Sequence, residues 1–176
     1  MRVEAVRRAA TNAGGAHSIT SEAVRRLKAM SGASDPFDLG RFVQAQEPTY
    51  ETALAEIRSG RKRSHWMWYV FPQVAGLGVS ETSRHYAIGS AAEARAYLAH
   101  PVLGPRLVEC VEAVLKVEGR SAREIFGSPD DRKLRSCATL FAQVTAPGSV
   151  FERLLEKYCE GEQDARTQEL LKGSAT

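Results

Sequence analysis

Residues 61–73 read RKRSHWMWYVFPQ. Both tryptophans of the chain, Trp66 and Trp68, fall here beside Tyr69 and Phe71, directly after Arg61, Lys62 and Arg63. Aromatic rings stack on planar ligands, and indole N–H and phenol O–H groups add direction. A guanidinium fork matches phosphate oxygens. Cations beside stackable rings are the combination that nucleotides and single-stranded nucleic acids prefer. His65 lies in this stretch, and His85 lies in a second polar stretch, SETSRHY, at 80–86. Histidine exchanges a proton near neutral pH and serves as general acid or base. The candidate ligand contacts are therefore Arg61, Arg63, Trp66, Trp68, Tyr69 and Gln73 from the first stretch, and Ser83, Arg84 and Tyr86 from the second. His65 and His85 are the candidate catalytic groups.

Each of these residues also has a plainer reading. As a strand, Trp66, Trp68 and Val70 would face one way and Met67, Tyr69 and Phe71 the other. Both faces are apolar, so the segment is buried whatever its backbone does. Arg58, Arg61, Lys62 and Arg63 would sit well at a helix C-terminus near Gly60, for dipole reasons alone. A lone histidine is commonly a hydrogen-bonded structural residue, and His100 before Pro101 reads as a turn. One face of the aromatic segment in the core and one in a cleft would satisfy both readings.

Other chemistries find little support. Cys110, Cys137 and Cys159 are spaced 27 and 22 residues apart, with no C-x-x-C and no zinc pattern. They read as buried free thiols of a reducing compartment, which places the chain in the cytoplasm. Asp130 and Asp131 follow Ser128-Pro129 in a helical first turn, where carboxylates stabilise without chemistry. Gly76-Leu77-Gly78 lacks the third glycine and the flanks of a dinucleotide fingerprint, and no Walker lysine motif, G-x-S-x-G or H-E-x-x-H occurs. No cofactor and no metal is expected.

The elements that must position these residues are helical. Asp35-Pro36 reads as an N-cap with proline at the first helical position, followed by Leu39, Phe42 and Val43 on one face. Pro48 opens a second helix, with Tyr50, Ala53, Leu54 and Ile57 at i, i+3, i+4, i+7 and Gly60 as its stop. Ser90-x-x-Glu93, Ser121-x-x-Glu124 and Ser149-x-x-Glu152 are three capping-box signatures. Helices over 101–118, 129–146 and 164–171 complete the set. Nothing after residue 90 alternates with period two. The fold class is all-α: a compact multihelical single domain of about seven or eight helices. One long non-helical segment near residues 61–89 is where function tends to sit.

The chain has 176 residues, 43% hydrophobic and 26% charged, and a net charge of +3. Residues 1–30 hold six cations and two carboxylates, so +4 lies there and residues 31–176 sum to −1. That argues against broad DNA binding, which needs a basic face. Residues 1–18 lack the apolar run of a secretory signal. Residues 19–30 suit one helix, and Met30 would serve as a first residue. The expected organisation is an N-terminal extension over 1–30, flexible or part-helical, and a single helical domain over 31–176. No stretch is long and apolar enough for a membrane span. The expected state is a monomer or weak homodimer.

The segments DPFDLGRFVQAQ, GRKRSHWMWYVFPQ, SETSRHYAI, EARAYLAHPVLGPRL and KLRSCATLF, in this order over residues 35–171, resemble the bacterial family of unknown function DUF1810. The resemblance implies a compact, mainly helical intracellular fold and assigns no catalytic residue. Members often carry the label "calpastatin". A calpain inhibitor of that kind is a disordered repeat chain, whereas this sequence has helix caps, apolar stripes and no repeat. The motif spacing also loosely resembles helical domains that handle ADP-ribose derivatives. Two functions stay open. One is a binder of a phosphate-bearing, nucleotide-like small molecule, or an enzyme acting on it through His65 or His85. The other is a non-enzymatic protein- or RNA-interaction module.

Overall fold

The structure, a computed structural model, describes residues 35–173. The expected extension over 1–30 and the helix over 19–30 lie outside the described residues. Among the described residues there are ten helices and no strand. They are α1 (Gly40–Gln46), α2 (Tyr50–Arg58), α3 (Met67–Val70), α4 (Glu81–His85), α5 (Ala91–Ala99), α6 (Leu103–Leu115), α7 (Ala122–Phe126), α8 (Asp130–Ala142), α9 (Val150–Cys159) and α10 (Ala165–Gly173). The all-α class holds. The surplus over the expected count is α3 and α4, single turns inside the segment read as non-helical.

Helices α6 and α8 carry the core. The apolar stripe of α6, Leu103, Leu107, Val111 and Val114, is buried, as are Leu134, Cys137, Leu140 and Phe141 of α8. Helix α9 packs on both, α5 and α2 pack on α6, and α7 and α10 pack on α8. The stripe read on α2 is also buried throughout. Residue 104 must be small, because a Cβ there would stand 2.0 Å from the Leu98 carbonyl oxygen at the α5–α6 approach.

The helix ends show where local rules were overridden. The first helix begins at Gly40, not at Pro36, because Asp38 adopts φ +49 and interrupts the turn. The two long helices are shorter than their apolar patterns, 103–115 and 130–142. All three signature serines accept from the amide three residues on. Only Ser121 and Glu124 close the reciprocal box. Glu93 and Glu152 reach one residue further back, to the amides of Gly89 and Gly148. Gly148 takes φ +79, which favours glycine, and at Gly89 a Cβ would stand 3.3 Å from the Glu93 carboxylate.

Candidate functional site

Residues 61–66 are shaped by one carboxylate. Glu56, in the last turns of α2, accepts from the backbone N–H groups of Arg63 (2.8 Å) and Ser64 (3.1 Å). It also accepts from the Ser64 hydroxyl (2.6 Å) and from Trp66 Nε1 (2.8 Å). Burial alone pushes this carboxyl up. The donors from Ser64, Arg63 and Trp66 outweigh it and hold the group down at about 2. The chain leaving α2 is thus wrapped around a fixed negative charge, which delivers Trp66 into the core.

Trp66 is 1% exposed and packs against Phe71 and Phe126. Its ring and its N–H are both spent on the fold, so it belongs to the core and offers a ligand nothing. Gln73 and Ser83 are buried as well. The Ser83 hydroxyl donates to the Ser80 carbonyl (2.7 Å). These three of the sequence-derived contacts are inside the molecule. Trp68, Tyr69 and Tyr86 are half-buried, and Arg61, Arg63, His65, Arg84 and His85 are exposed.

Lys62 does not behave as part of a solvated charge run. Its side chain is 8% exposed, and its ammonium bonds Asp130 Oδ2 at 2.8 Å. It also donates to the Ser64 carbonyl and lies 5.1 Å from the Trp66 ring centre. Asp130 Oδ1 takes Lys133 at 2.7 Å, and Lys133 stands 4.0 Å over Trp68. Two lysines share one aspartate, and each covers one tryptophan. Burial pushes the Asp130 carboxyl up, and the bonds and charges of Lys133 and Lys62 overcome it and hold it low. The first-turn position read for Asp130 is correct, and its partners come from both sides of it.

The second stretch rides on a loop closed at its base. Ala75 N–H donates to Ile88 O (2.9 Å) and Ile88 N–H to Gln73 O (2.8 Å), forming an isolated parallel bridge at Val74 and Ile88. A compact surface loop with adjacent ends of this kind is an Ω-loop. Arg41 of α1 clamps the base, donating to the carbonyls of His85 (2.8 Å) and Ala87 (2.9 Å) and pairing with Glu93 at 2.7 Å. Within the loop, Gly78 lies against Ser83 and the tip of the Trp68 ring: a Cβ there would be 2.4 Å from Ser83 Cβ and 3.4 Å from Trp68 Cη2. The Arg84 guanidinium turns back to the Val79 carbonyl.

The two stretches therefore meet. Tyr69 and Tyr86 pack edge to face with ring centres 5.3 Å apart. His85 stacks edgewise on Tyr86 at 4.6 Å, and the Tyr69 hydroxyl reaches the His65 carbonyl at 3.4 Å. Beneath them, Gln46 Nε2 donates to the Tyr69 carbonyl (2.7 Å) and the Tyr97 hydroxyl (3.1 Å). Tyr86 thus touches both Tyr69 and the exposed His85 ring, His65 adjoins Tyr69 through its backbone carbonyl, and the half-buried Trp68 ring meets the same loop at Gly78. Among the described residues, neither imidazole is held by a hydrogen bond of its own.

Arg41, Glu56 and Lys133 were not singled out from the sequence. Lys133 had a weak signal, three residues after Asp130 on a helix. Arg41 and Glu56 had none, because Arg41's carbonyls lie 44 and 46 residues away and Glu56 bonds a loop that no local rule predicts. Among the described residues, no group of three or more His, Cys, Asp or Glu is placed to hold a metal ion. None of the described helices is long and apolar enough to cross a membrane.

No curated protein matches the chain. A crystal structure of a conserved hypothetical protein from Mycobacterium tuberculosis, at 1.38 Å, is similar to it at 56% identity and a TM-score of 0.77. The likeness covers 78% of this chain and 99% of that one. The family described as "Protein of unknown function (DUF1810)" matches residues 36–171. That span takes in the clamp at Arg41, the aromatic stretch, the Ω-loop and every helix up to α10, and the chain belongs to the DUF1810 family.

Proposed function

We propose that this protein binds a phosphate-bearing, nucleotide-like small molecule on the face where residues 65–69 meet residues 83–86. The observation that carries the reading is the Tyr69–Tyr86 contact at 5.3 Å. It brings two polar–aromatic stretches together and leaves Trp68, Tyr69 and Tyr86 half-exposed, while most other aromatic side chains are buried. A planar base would lie against one of these rings. Arg84, exposed and with N–H donors beyond those spent on Val79, would meet a phosphate. His65 and His85 border the same face and would bond the ligand's polar groups. Any turnover there would use one of these two imidazoles for proton transfer. Trp66, Gln73 and Ser83 act as the scaffold behind it.

The test is a titration of intrinsic tryptophan emission with ADP-ribose, NAD, ATP, mononucleotides and a short single-stranded RNA. Trp66 is sealed, so a ligand on this face reports through Trp68. The expected result is a saturable change with one small molecule, weakened in Arg84→Ala and absent in Trp68→Phe. A response to the RNA alone would favour the interaction-module reading. No response to any compound would remove the small-molecule reading.

A further inference from the structure

The described part of the chain separates its charges in a way that only the fold makes visible. Residues 58–63 and 116–123 together carry seven cations and one carboxylate. The rest of residues 31–176 carries eleven cations and eighteen carboxylates. These two segments are over fifty residues apart in sequence and adjacent in space. The Lys62 N–H donates to the Ile125 carbonyl at 2.7 Å. Arg120 Nη1 donates to the Gly60 carbonyl at 3.2 Å, and the Cβ position of Gly60 lies 3.2 Å from Val117 Cγ1. Arg58 and Lys116 line one surface groove of about 210 Å³ with Glu109, Glu112, Ala113 and Val117.

The state of each charge sharpens the picture. Lys62 is turned inward to Asp130, so the exposed cations are Arg58, Arg61, Arg63, Lys116, Arg120 and Arg123. The carboxylates among them are mostly engaged. Glu118 pairs with Lys157 at 2.9 Å, and Glu124 is locked into the Ser121 cap. Glu109 takes the Tyr50 hydroxyl and Arg58. The Arg58–Glu109 pair is 60% and 48% exposed, a weak bond that another anion can displace. Glu112 remains beside Lys116 as the counter-charge of the groove.

We infer that this end of the molecule, where residues 58–63 meet residues 116–123, is a binding strip for the phosphodiester backbone of a single-stranded nucleic acid. Five of its six exposed cations are arginine, whose fork suits paired phosphate oxygens better than an ammonium does. The surplus of carboxylates over the rest of the body limits the footprint, which suits a short single strand and repels a wide duplex. The strip uses none of the residues assigned to the small-molecule site, and the inference does not rest on that reading.

The experiment is fluorescence anisotropy of a labelled oligouridine of roughly 12 nucleotides, titrated with the full chain at several salt concentrations. Uridine stacks weakly, so the signal isolates phosphate contacts. Neutralising about four phosphates predicts a slope of log K against log salt near −3. The triple variant Arg61→Gln/Arg63→Gln/Arg123→Gln should lower affinity at least about tenfold and flatten the slope by about 2. Its thermal midpoint should match that of the parent, since these guanidiniums are exposed. Arg166→Gln, at an exposed cation of α10 outside the strip, should leave RNA binding unchanged. The inference is overturned by absence of binding at low salt, or by binding that the triple variant retains. It is overturned equally if poly-glutamate competes as well as the RNA, which would make the strip an acidic-peptide site.

Discussion

Lys133 stands 4.0 Å above the ring of Trp68 while the same nitrogen bonds Asp130, and Asp130 in turn holds Lys62 beside Trp66. One aspartate thus ties the loop after α2 to the start of α8 and fixes both tryptophans. Removing it leaves two poorly hydrated ammonium groups without an anion. Asp130→Asn should therefore cost about 3–5 kcal/mol in urea unfolding. Lys133→Met removes a cation and leaves Lys62 and Asp130 as a balanced pair, so it should cost only about 1 kcal/mol, the loss of a cation–π contact. Equal costs for the two variants would mean that charge balance is not what organises the cluster.

Glu56 links stability to acid. Its carboxyl is held at about 2 in the folded protein against an ordinary value of 4.5. A depressed carboxyl contributes its stability in full above the ordinary value and loses it as pH falls toward the folded one. Asp130 shifts in the same direction. The urea midpoint should therefore fall steadily as pH drops from about 4.5 to about 2. Glu56→Gln should flatten that slope. At neutral pH it should cost about 1–3 kcal/mol, because four donors then face a group with one acceptor oxygen. An unchanged slope in the variant would assign the acid sensitivity elsewhere.

Arg41 is the pin at the base of the Ω-loop, and Glu93 beneath it is buried. Arg41→Met frees the His85 and Ala87 carbonyls and leaves that carboxylate unpaired. Hydrogen exchange should speed up by at least about tenfold at the amides of Ala75 and Ile88, with the α8 amides little changed. A uniform acceleration across the molecule would instead mark Arg41 as a contributor to global stability, not a local clamp.

The α5–α6 approach allows no side chain at position 104. A methyl there meets the Leu98 carbonyl oxygen at 2.0 Å, and backbone cannot step aside as a flexible side chain can. Gly104→Ala should cost about 3 kcal/mol or more despite its better helix propensity. Gly173→Ala, in α10 with open space around it, should be near neutral in the same denaturation series. If Gly104→Ala is also neutral, the two helices are free to slide apart.

Much of this protein is written in local pattern. The stripes of α2, α6 and α8, the serine caps at 90, 121 and 149, and the all-α class depend on neighbours within one or two turns, and the chain alone carries that information. The concentration of aromatic and basic residues at 61–73 is equally plain in the chain. What the pattern could not convey was the fate of each side chain there. Trp66 and Trp68 are two residues apart, yet one is sealed and the other half-open, because Glu56 captures the first indole N–H and a lysine from α8 covers the second ring. Lys62 looks like its neighbours Arg61 and Arg63 in sequence and points the other way, since its partner Asp130 arrives from 68 residues downstream. The meeting of Tyr69 with Tyr86, and of residues 58–63 with 116–123, likewise follows from packing between distant elements. Helix formation is decided by short-range hydrogen bonds and capping. Which charges are solvated and which rings are left open is decided by contacts that exist only once the chain has folded.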